Sequence, residues 1–343
     1  MECIKNIKCR LYLALLRYDF NVSFLMLTIL TFILGGLLIL VYGADRFVIG
    51  ALGTAKYLGI SPLLCGILIV GLATSLPEAL VSASAALEGS PLLGVANALG
   101  SNIANIGLVL GVTLLVATNR VACPPMGRDL ALMLASMLAV CFVLIDLNLS
   151  LGDGILLLIS LVAVLLFMIY RGQVNADDSL VVNKESCRNP AIFLPLVNLF
   201  LGFVALIGGS KLLVLGAIDL ARLWEISEAV IGLTIVAIGT SLPELAASLM
   251  SVIKGKSDMA IGNIIGSNIF NSLGVLAMPA LLAPNFLMPP EILFRDVISM
   301  VLISVILIVI LLTRSTSGFL TRSNGFVLTF IFVGYQFLLF TGI

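Results

Sequence analysis

The stretch LATSLPEAL, Leu72–Leu80, returns as IGTSLPELA, Ile238–Ala246, 166 residues further along the chain. Each copy lies inside a run apolar enough to span a bilayer, yet each carries a proline followed at once by a carboxylate. Both features are costly in hydrocarbon. Proline has no N–H and its ring crowds the carbonyl four residues earlier, and a backbone group freed at that depth must find a partner within the protein or line a polar cavity.

The rest of the chain has the composition of a membrane protein. Of its 343 residues 61% are hydrophobic and 10% charged, where a soluble domain carries about 25% charged residues. Eighteen Lys and Arg balance eighteen Asp and Glu, so no global charge points to nucleic acid, and partners are read from local sites. Histidine is absent, and Cys3, Cys9, Cys65, Cys123, Cys141 and Cys187 show no CxxC spacing. A zinc site, a disulfide framework and a histidine proton relay are therefore not expected, nor is a cofactor. Residues 1–22, with Lys5, Lys8, Arg10 and Arg17 around a short apolar run, lack a convincing signal-peptide core and cleavage site and read as a retained polar tail.

A spanning helix needs about 20 apolar residues. Cut at its polar and Pro/Gly-marked breaks, the chain yields ten segments: 24–50, 61–87, 91–117, 129–147, 152–170, 191–219, 227–253, 258–283, 292–313 and 325–342. The hydrophilic connection 171–190 divides them five and five, giving units 23–170 and 191–343. Displaced by 166, Tyr42–Val112 lies over Gly208–Met278 without a gap, and 25 of the 71 pairs are identical. TSLPE meets TSLPE, and GSNIAN (Gly100–Asn105) meets GSNIFN (Gly266–Asn271). An odd number of spans per half turns the second half upside down, so the expected fold is an all-α integral membrane protein of ten helices in two inverted five-helix repeats, a transporter architecture. Lys and Arg in short loops set orientation. With both termini outside, the inside loops hold Lys56, Arg120, Arg128, Arg171, Lys184, Arg188, Lys254, Lys256, Arg314 and Arg322, and the outside loops hold Arg222 and Arg295.

Pro77 frees the carbonyl of Ala73, and Pro243 that of Gly239. Gly71, Thr74 and Glu78, with Ser75 beside them, share one helix face, repeated by Ala237, Thr240, Ser241 and Glu244. Ser101 and Asn105, and likewise Ser267 and Asn271, stand at i and i+4 on the following helix. Two carboxylates, hydroxyls, amides and freed carbonyls make an all-oxygen set suited to a hard cation such as Ca²⁺. Plainer readings account for other residues: Asn102 and Asn268 as interhelical hydrogen bonds, Gly100 and Gly266 as close-packing positions, Asp45, Arg46 and Lys211 as snorkelling charges, and Asp177 and Asp178 as solvated charge.

At these motifs the sequence resembles the cation/Ca²⁺ exchanger superfamily, and within it the prokaryotic sodium/calcium antiporters. The resemblance implies ten helices around one Ca²⁺ site and neighbouring Na⁺ sites. It implies that Glu78 and Glu244 bind Ca²⁺ with the backbone oxygens of Thr74 and Thr240. It further implies that Gly71, Ser75 and Ser101 serve one Na⁺ site and Ala237, Ser241 and Ser267 the other, with Asn105 and Asn271 between them. Some relatives carry Asp where this chain has Asn271. The first and sixth helices look like the family's sliding gate. The expected function is Na⁺/Ca²⁺ antiport in the inner membrane, with Ca²⁺, Na⁺ and the lipid bilayer as partners and an oligomeric state compatible with a monomer. The alternatives are a Ca²⁺/H⁺ exchanger of the same superfamily and a passive cation channel. An enzyme is disfavoured because no nucleophile stands with a base or a metal pair.

Overall fold

The computed structural model of the chain describes residues 2–117, 121–122, 126–179, 192–225, 237–315 and 319–341, and among these the side chains other than 2–24, 122, 172–179, 237, 314–315 and 340–341. Its helices follow the chain as α1 (Glu2–Leu58), α2 (Pro62–Leu87), α3 (Pro91–Val116), α4 (Gly127–Leu144), α5 (Leu151–Ser179) and α6 (Phe193–Leu223). They continue as α7 (Ala237–Thr240 then Leu242–Ile253), α8 (Ser257–Leu282), α9 (Ile292–Thr313) and α10 (Arg322–Thr341). Eight helices among the described residues are long and apolar enough to cross a membrane; α7 and α10 are not among the eight. The first ten residues of the seventh sequence segment, 227–236, lie outside the described residues, as do Cys123, Cys187, Arg120, Lys184 and Arg188.

Two boundaries differ from the sequence reading. The expected polar tail is helical from Glu2 and runs unbroken into the first span, because no Gly or Pro interrupts the chain before Gly35. The hydrophilic connection begins later than residue 171: α5 continues to Ser179. Arg171 remains on that helix and donates to the Asp129 carboxylate on α4 at 3.2 Å.

Two short antiparallel ladders tie the helix connections together. β1 (Val121–Ala122), between α3 and α4, pairs with β4 (Phe319–Leu320), between α9 and α10. β2 (Asn148–Leu149), between α4 and α5, pairs with β3 (Phe286–Leu287), between α8 and α9. Corresponding connections in the two halves thus exchange partners, so each ladder is the image of the other. The buried core collects on α3, α4, α8 and α9, while α1 and α6 turn rows of leucine, isoleucine and phenylalanine outward.

The α1–α6 pair is held by glycine. Gly36, Gly43 and Gly50 recur every seven residues on α1, and Gly202, Gly209 and Gly216 do so on α6, 166 residues on. The backbones touch along this seam in antiparallel order: a Cβ added at Gly36 would stand 2.5 Å from Leu213 N, one at Gly43 2.6 Å from Leu206 N, and one at Gly209 2.5 Å from Leu40 N. Without a hydrophobic drive between helices in lipid, such backbone approach is what makes a pair cohere.

Adjacent glycines give the test. Gly35 has open space where a Cβ would go, whereas Gly36 faces Leu213 N and Gly209 O. Gly35→Ala should leave thermal stability in detergent unchanged or raise it by up to about 1 kcal/mol, and Gly36→Ala should lower it by about 1–3 kcal/mol through overpacking. Equal melting temperatures for the two variants would show that the seam is not close-packed.

Candidate functional site

The repeated motif breaks its helix in the same way twice. Ser75 (φ −88°, ψ 2°) separates Leu72–Thr74 from Leu76–Leu87, and Ser241 (φ −89°, ψ 3°) separates Ala237–Thr240 from Leu242–Ile253. Proline in the first turn of each second segment sits where its missing N–H costs least. Of the two carbonyls that proline frees, that of Gly239 accepts from Ser210 Oγ of α6 at 2.9 Å. The corresponding residue of α1 is Ala44, which has no hydroxyl to offer Ala73. A π-helical turn, Gly66–Gly71, precedes the first break. Two more begin at Asn105 and Asn271, 166 residues apart. Such turns widen the helix, leave backbone groups out of the regular ladder and gather at functional sites.

These segments meet where α2 crosses α8. A Cβ at Gly71 would lie 2.7 Å from Ser267 N, and one at Gly266 would press on the backbone of Ile67. The expected close packing therefore holds at Gly266 but not at Gly100, where a Cβ would meet open space. The crossing also brings together residues of the two implied Na⁺ groups. Ser267, rather than Ser101, sits against Gly71 and donates to its carbonyl at 3.2 Å, because α2 touches the helix of the other half there.

Around this crossing the sequence candidates converge. Glu78 and Glu244 are 1% and 0% exposed. Ser75 Oγ donates to Glu244 Oε1 at 3.3 Å. Thr74 Oγ1 donates to Val70 O at 3.0 Å and to Asn263 Oδ1 at 3.4 Å. Thr240 flanks the second break, and Ser101 is buried four residues before Asn105 on α3. Ala237 opens the described part of α7, and its side chain lies outside the description. Several buried polar atoms here have no hydrogen-bond partner: Glu78 Oε2, Glu244 Oε2, Ser241 Oγ, and both amide atoms of Asn105 and Asn271. Leaving such groups unsatisfied costs about 1–3 kcal/mol each, more when charged. Among the described residues no cluster of three or more His, Cys, Asp and Glu forms. The centre is two carboxylates in a ring of neutral oxygens, matched in type to a hard cation.

Two residues at the centre escaped the sequence reading. Asn97 Nδ2 donates to Glu78 O at 3.1 Å and to Ser82 Oγ at 2.9 Å. Asn263 Nδ2 donates to Glu244 O at 3.2 Å and to Ser248 Oγ at 2.8 Å. Each asparagine holds the backbone of a carboxylate-bearing helix against the next helix. Their signal was present: Asn97, Ser101 and Asn105 stand at i, i+4 and i+8 on one stripe, as do Asn263, Ser267 and Asn271. Of the pair read as interhelical, Asn102 does reach across, to Ser272 Oγ at 3.0 Å. Asn268 instead donates to Ile264 O of its own helix at 2.7 Å, since a carbonyl one turn back lies within reach of its amide.

The clamp is measurable. Asn97→Ala removes two hydrogen bonds, to the Glu78 carbonyl and to the Ser82 hydroxyl, and should lower unfolding free energy in detergent by about 1–3 kcal/mol. Asn263→Ala should cost more, because Asn263 Oδ1 also accepts from Thr74 and Ser267. Losses near zero for both variants would show that the asparagines do not hold the broken helices.

This arrangement has known relatives. The family described as "Sodium/calcium exchanger protein" matches residues 27–170 and again 194–341. The putative antiporter CaxA of Alkalimonas amylolytica is 41% identical across 92% of this chain and 100% of its own length. The inner membrane protein YrbG of Escherichia coli (strain K12) is 43% identical across 72% of this chain and 78% of its own. Among solved structures, the sodium-calcium exchanger NCX_Mj, soaked with 10 mM Na⁺ and 10 mM Sr²⁺, superimposes with a TM-score of 0.76 at 30% identity, covering 90% of this chain and 97% of that one. The described helices carry the exchanger fold, and the chain, a multi-pass membrane protein, belongs to the sodium/calcium exchanger family.

Proposed function

We propose that this protein is a secondary antiporter that exchanges Na⁺ for Ca²⁺ by alternating access. The observation that carries the reading is the buried facing pair Glu78 and Glu244, borne on two identically broken helices and ringed by unpartnered oxygens. Two carboxylates neutralise one divalent cation, and in a low-dielectric site that match is worth several-fold more than in water. Thr74, Thr240, Ser75, Ser241, Ser101, Ser267, Asn105, Asn271 and the backbone at Gly71 and Ala237 supply the remaining oxygens for Ca²⁺ and Na⁺. The relative soaked with Na⁺ and Sr²⁺ fits the same pairing of cargoes, one monovalent and one divalent.

The architecture of this reading is ten spanning helices in two inverted five-helix repeats. Ten alternating crossings put the α3–α4 and α9–α10 connections on one face and the α4–α5 and α8–α9 connections on the other, and the pairing within the two ladders supports this. The distribution of Lys and Arg among the loops favours both termini outside, and the resemblance to an inner membrane protein favours that membrane. A Ca²⁺/H⁺ exchanger is the second reading, favoured by the same observation, because buried glutamates also carry protons.

Transport in proteoliposomes separates the readings. ⁴⁵Ca²⁺ uptake should follow an imposed Na⁺ gradient and fail under a pH gradient alone; uptake with the pH gradient alone would promote the proton-coupled reading. Glu78→Gln and Glu244→Gln should each leave folded protein and cut Na⁺-driven exchange more than about 100-fold, since stripping one member from a buried charge set costs about 3–5 kcal/mol.

Charge gives a further test. Ca²⁺ leaves the two-carboxylate site neutral, whereas three Na⁺, the number the family resemblance implies, leave it at +1. Each charge moved is worth about 2.3 kcal/mol per 100 mV. An inside-negative potential should therefore draw Na⁺ in and drive Ca²⁺ out. Na⁺-driven flux measured under potentials clamped with K⁺ and valinomycin should change with voltage, and a flat response would refute the 3:1 exchange.

A further inference from the structure

Where both members of a repeat-related pair are charged, Lys56 with Arg222 and Glu78 with Glu244 match in sign, but two further pairs are reversed. Asp45 of α1 corresponds to Lys211 of α6, and Glu88 at the end of α2 corresponds to Lys254 at the end of α7. Each reversal alone is unremarkable; together they conserve attraction. In the structure Lys254 Nζ donates to Asp45 Oδ1 at 2.6 Å, tying α1 to the end of α7. Arg46 also faces Asp45, at 3.9 Å, while stacking over the Tyr42 ring. The image of that ion pair is Lys211 with Glu88. Both are exposed, and among the described residues no ion pair joins them or engages either one.

The surrounding geometry makes the two pairs true counterparts. Glu88 and Lys254 cap their helices identically. A glycine with positive φ follows each, Gly89 at +80° and Gly255 at +70°. Ser90 N then bonds Ala85 O at 2.8 Å, and Lys256 N bonds Ser251 O at 2.8 Å, the Schellman closure. A lysine suits the negative end of a helix dipole; a glutamate there does not. Glu88 therefore answers to something other than its own helix.

Packing differs between the halves in the same sense. α1 lies along Leu242–Ile253 of α7, whereas neither α1 nor α6 packs closely on Leu76–Leu87 of α2. Accordingly Ala247 is fully buried, while its counterpart Val81 is 44% exposed and the neighbouring Leu80 68%. On one side of the molecule the ion pair is made and α1 covers α7, and on the image side the ion pair is apart and α2 is uncovered.

We propose that Asp45–Lys254 and Glu88–Lys211 are alternate latches, one closing each membrane face, engaged in turn as the α1–α6 pair moves against α2 and α7. This rests on the alternating-access reading above. Under the orientation given there, the engaged latch closes the cytoplasmic face and the open one belongs to the external face. Inverted repeats interconvert by exchanging the conformations of their halves, so the state opposite to this one brings Lys211 to Glu88 and parts Asp45 from Lys254.

The test uses Asp45→Asn and Lys211→Gln in oriented proteoliposomes, with apparent Ca²⁺ affinity read separately at each face by ⁴⁵Ca²⁺ counterflow. Losing a latch depopulates the state it holds, and apparent affinity follows the competent fraction. Asp45→Asn should raise affinity at the cytoplasmic face and lower it at the external face, and Lys211→Gln should do the reverse. Each shift should be about two- to five-fold, the size a partly exposed ion pair supports. Asp45→Lys should behave as Asp45→Asn, and adding Lys254→Asp should restore the wild-type values. Shifts in the same direction for both variants, no shift in either, or no restoration by the charge swap would overturn the latches. Failure of Ca²⁺ counterflow in the wild type would instead overturn the exchanger reading.

Discussion

A lipid environment offers no water to a backbone group, and this one constraint organises the structure. At Pro77 and Pro243 the chain gives up regular helix within α2 and α7, and each freed or displaced group must be met from elsewhere in the protein. Ser210 meets the Gly239 carbonyl, Ser267 meets that of Gly71, and Asn97 and Asn263 hold the carbonyls of the two glutamates. The partners come largely from the helix that follows in the same repeat or from the opposite repeat. The broken helices are consequently stable only together, and the two halves form a single unit. What remains unpartnered after this, above all Glu78 Oε2, Glu244 Oε2 and the amides of Asn105 and Asn271, is what the proposed function assigns to a cation.

Close backbone approach is the second requirement, and glycine meets it in two different ways. Where α2 crosses α8, Gly66, Gly71 and Gly266 let the backbones touch at a single place, which fixes the site. Along α1 and α6 the glycines repeat every seven residues and produce a smooth seam on the outside of the bundle. That pair is bound tightly within itself, yet it shares less of the buried core than α3, α4, α8 and α9 do. Such a pair, close-packed within itself, is what the proposed latches require to move as one body.

Much of this was legible in the chain because it is local or periodic. Repetition of TSLPE and GSN at an offset of 166, the proline–glutamate pairing and the long apolar runs come directly from the order of residues. They determine a membrane protein of two related halves, with Glu78 and Glu244 at its centre. The helix limits at Glu2 and Ser179 were not legible, because polar residues alone do not end a helix and α5 continues through a lone Gly172.

Only the tertiary structure decided which residues of one half meet which of the other. Spacing places Ser101 and Ser267 on equivalent stripes, but the α2–α8 crossing sets Ser267 against Gly71. Repeat comparison makes Asp45 and Lys211 look mismatched, and only the position of Lys254 shows the reversal to be paired. Asymmetry between the halves lies in the same category. A sequence records two nearly equivalent repeats, whereas a folded molecule occupies one arrangement at a time, so which side is closed is a property of packing and has no counterpart in the order of residues.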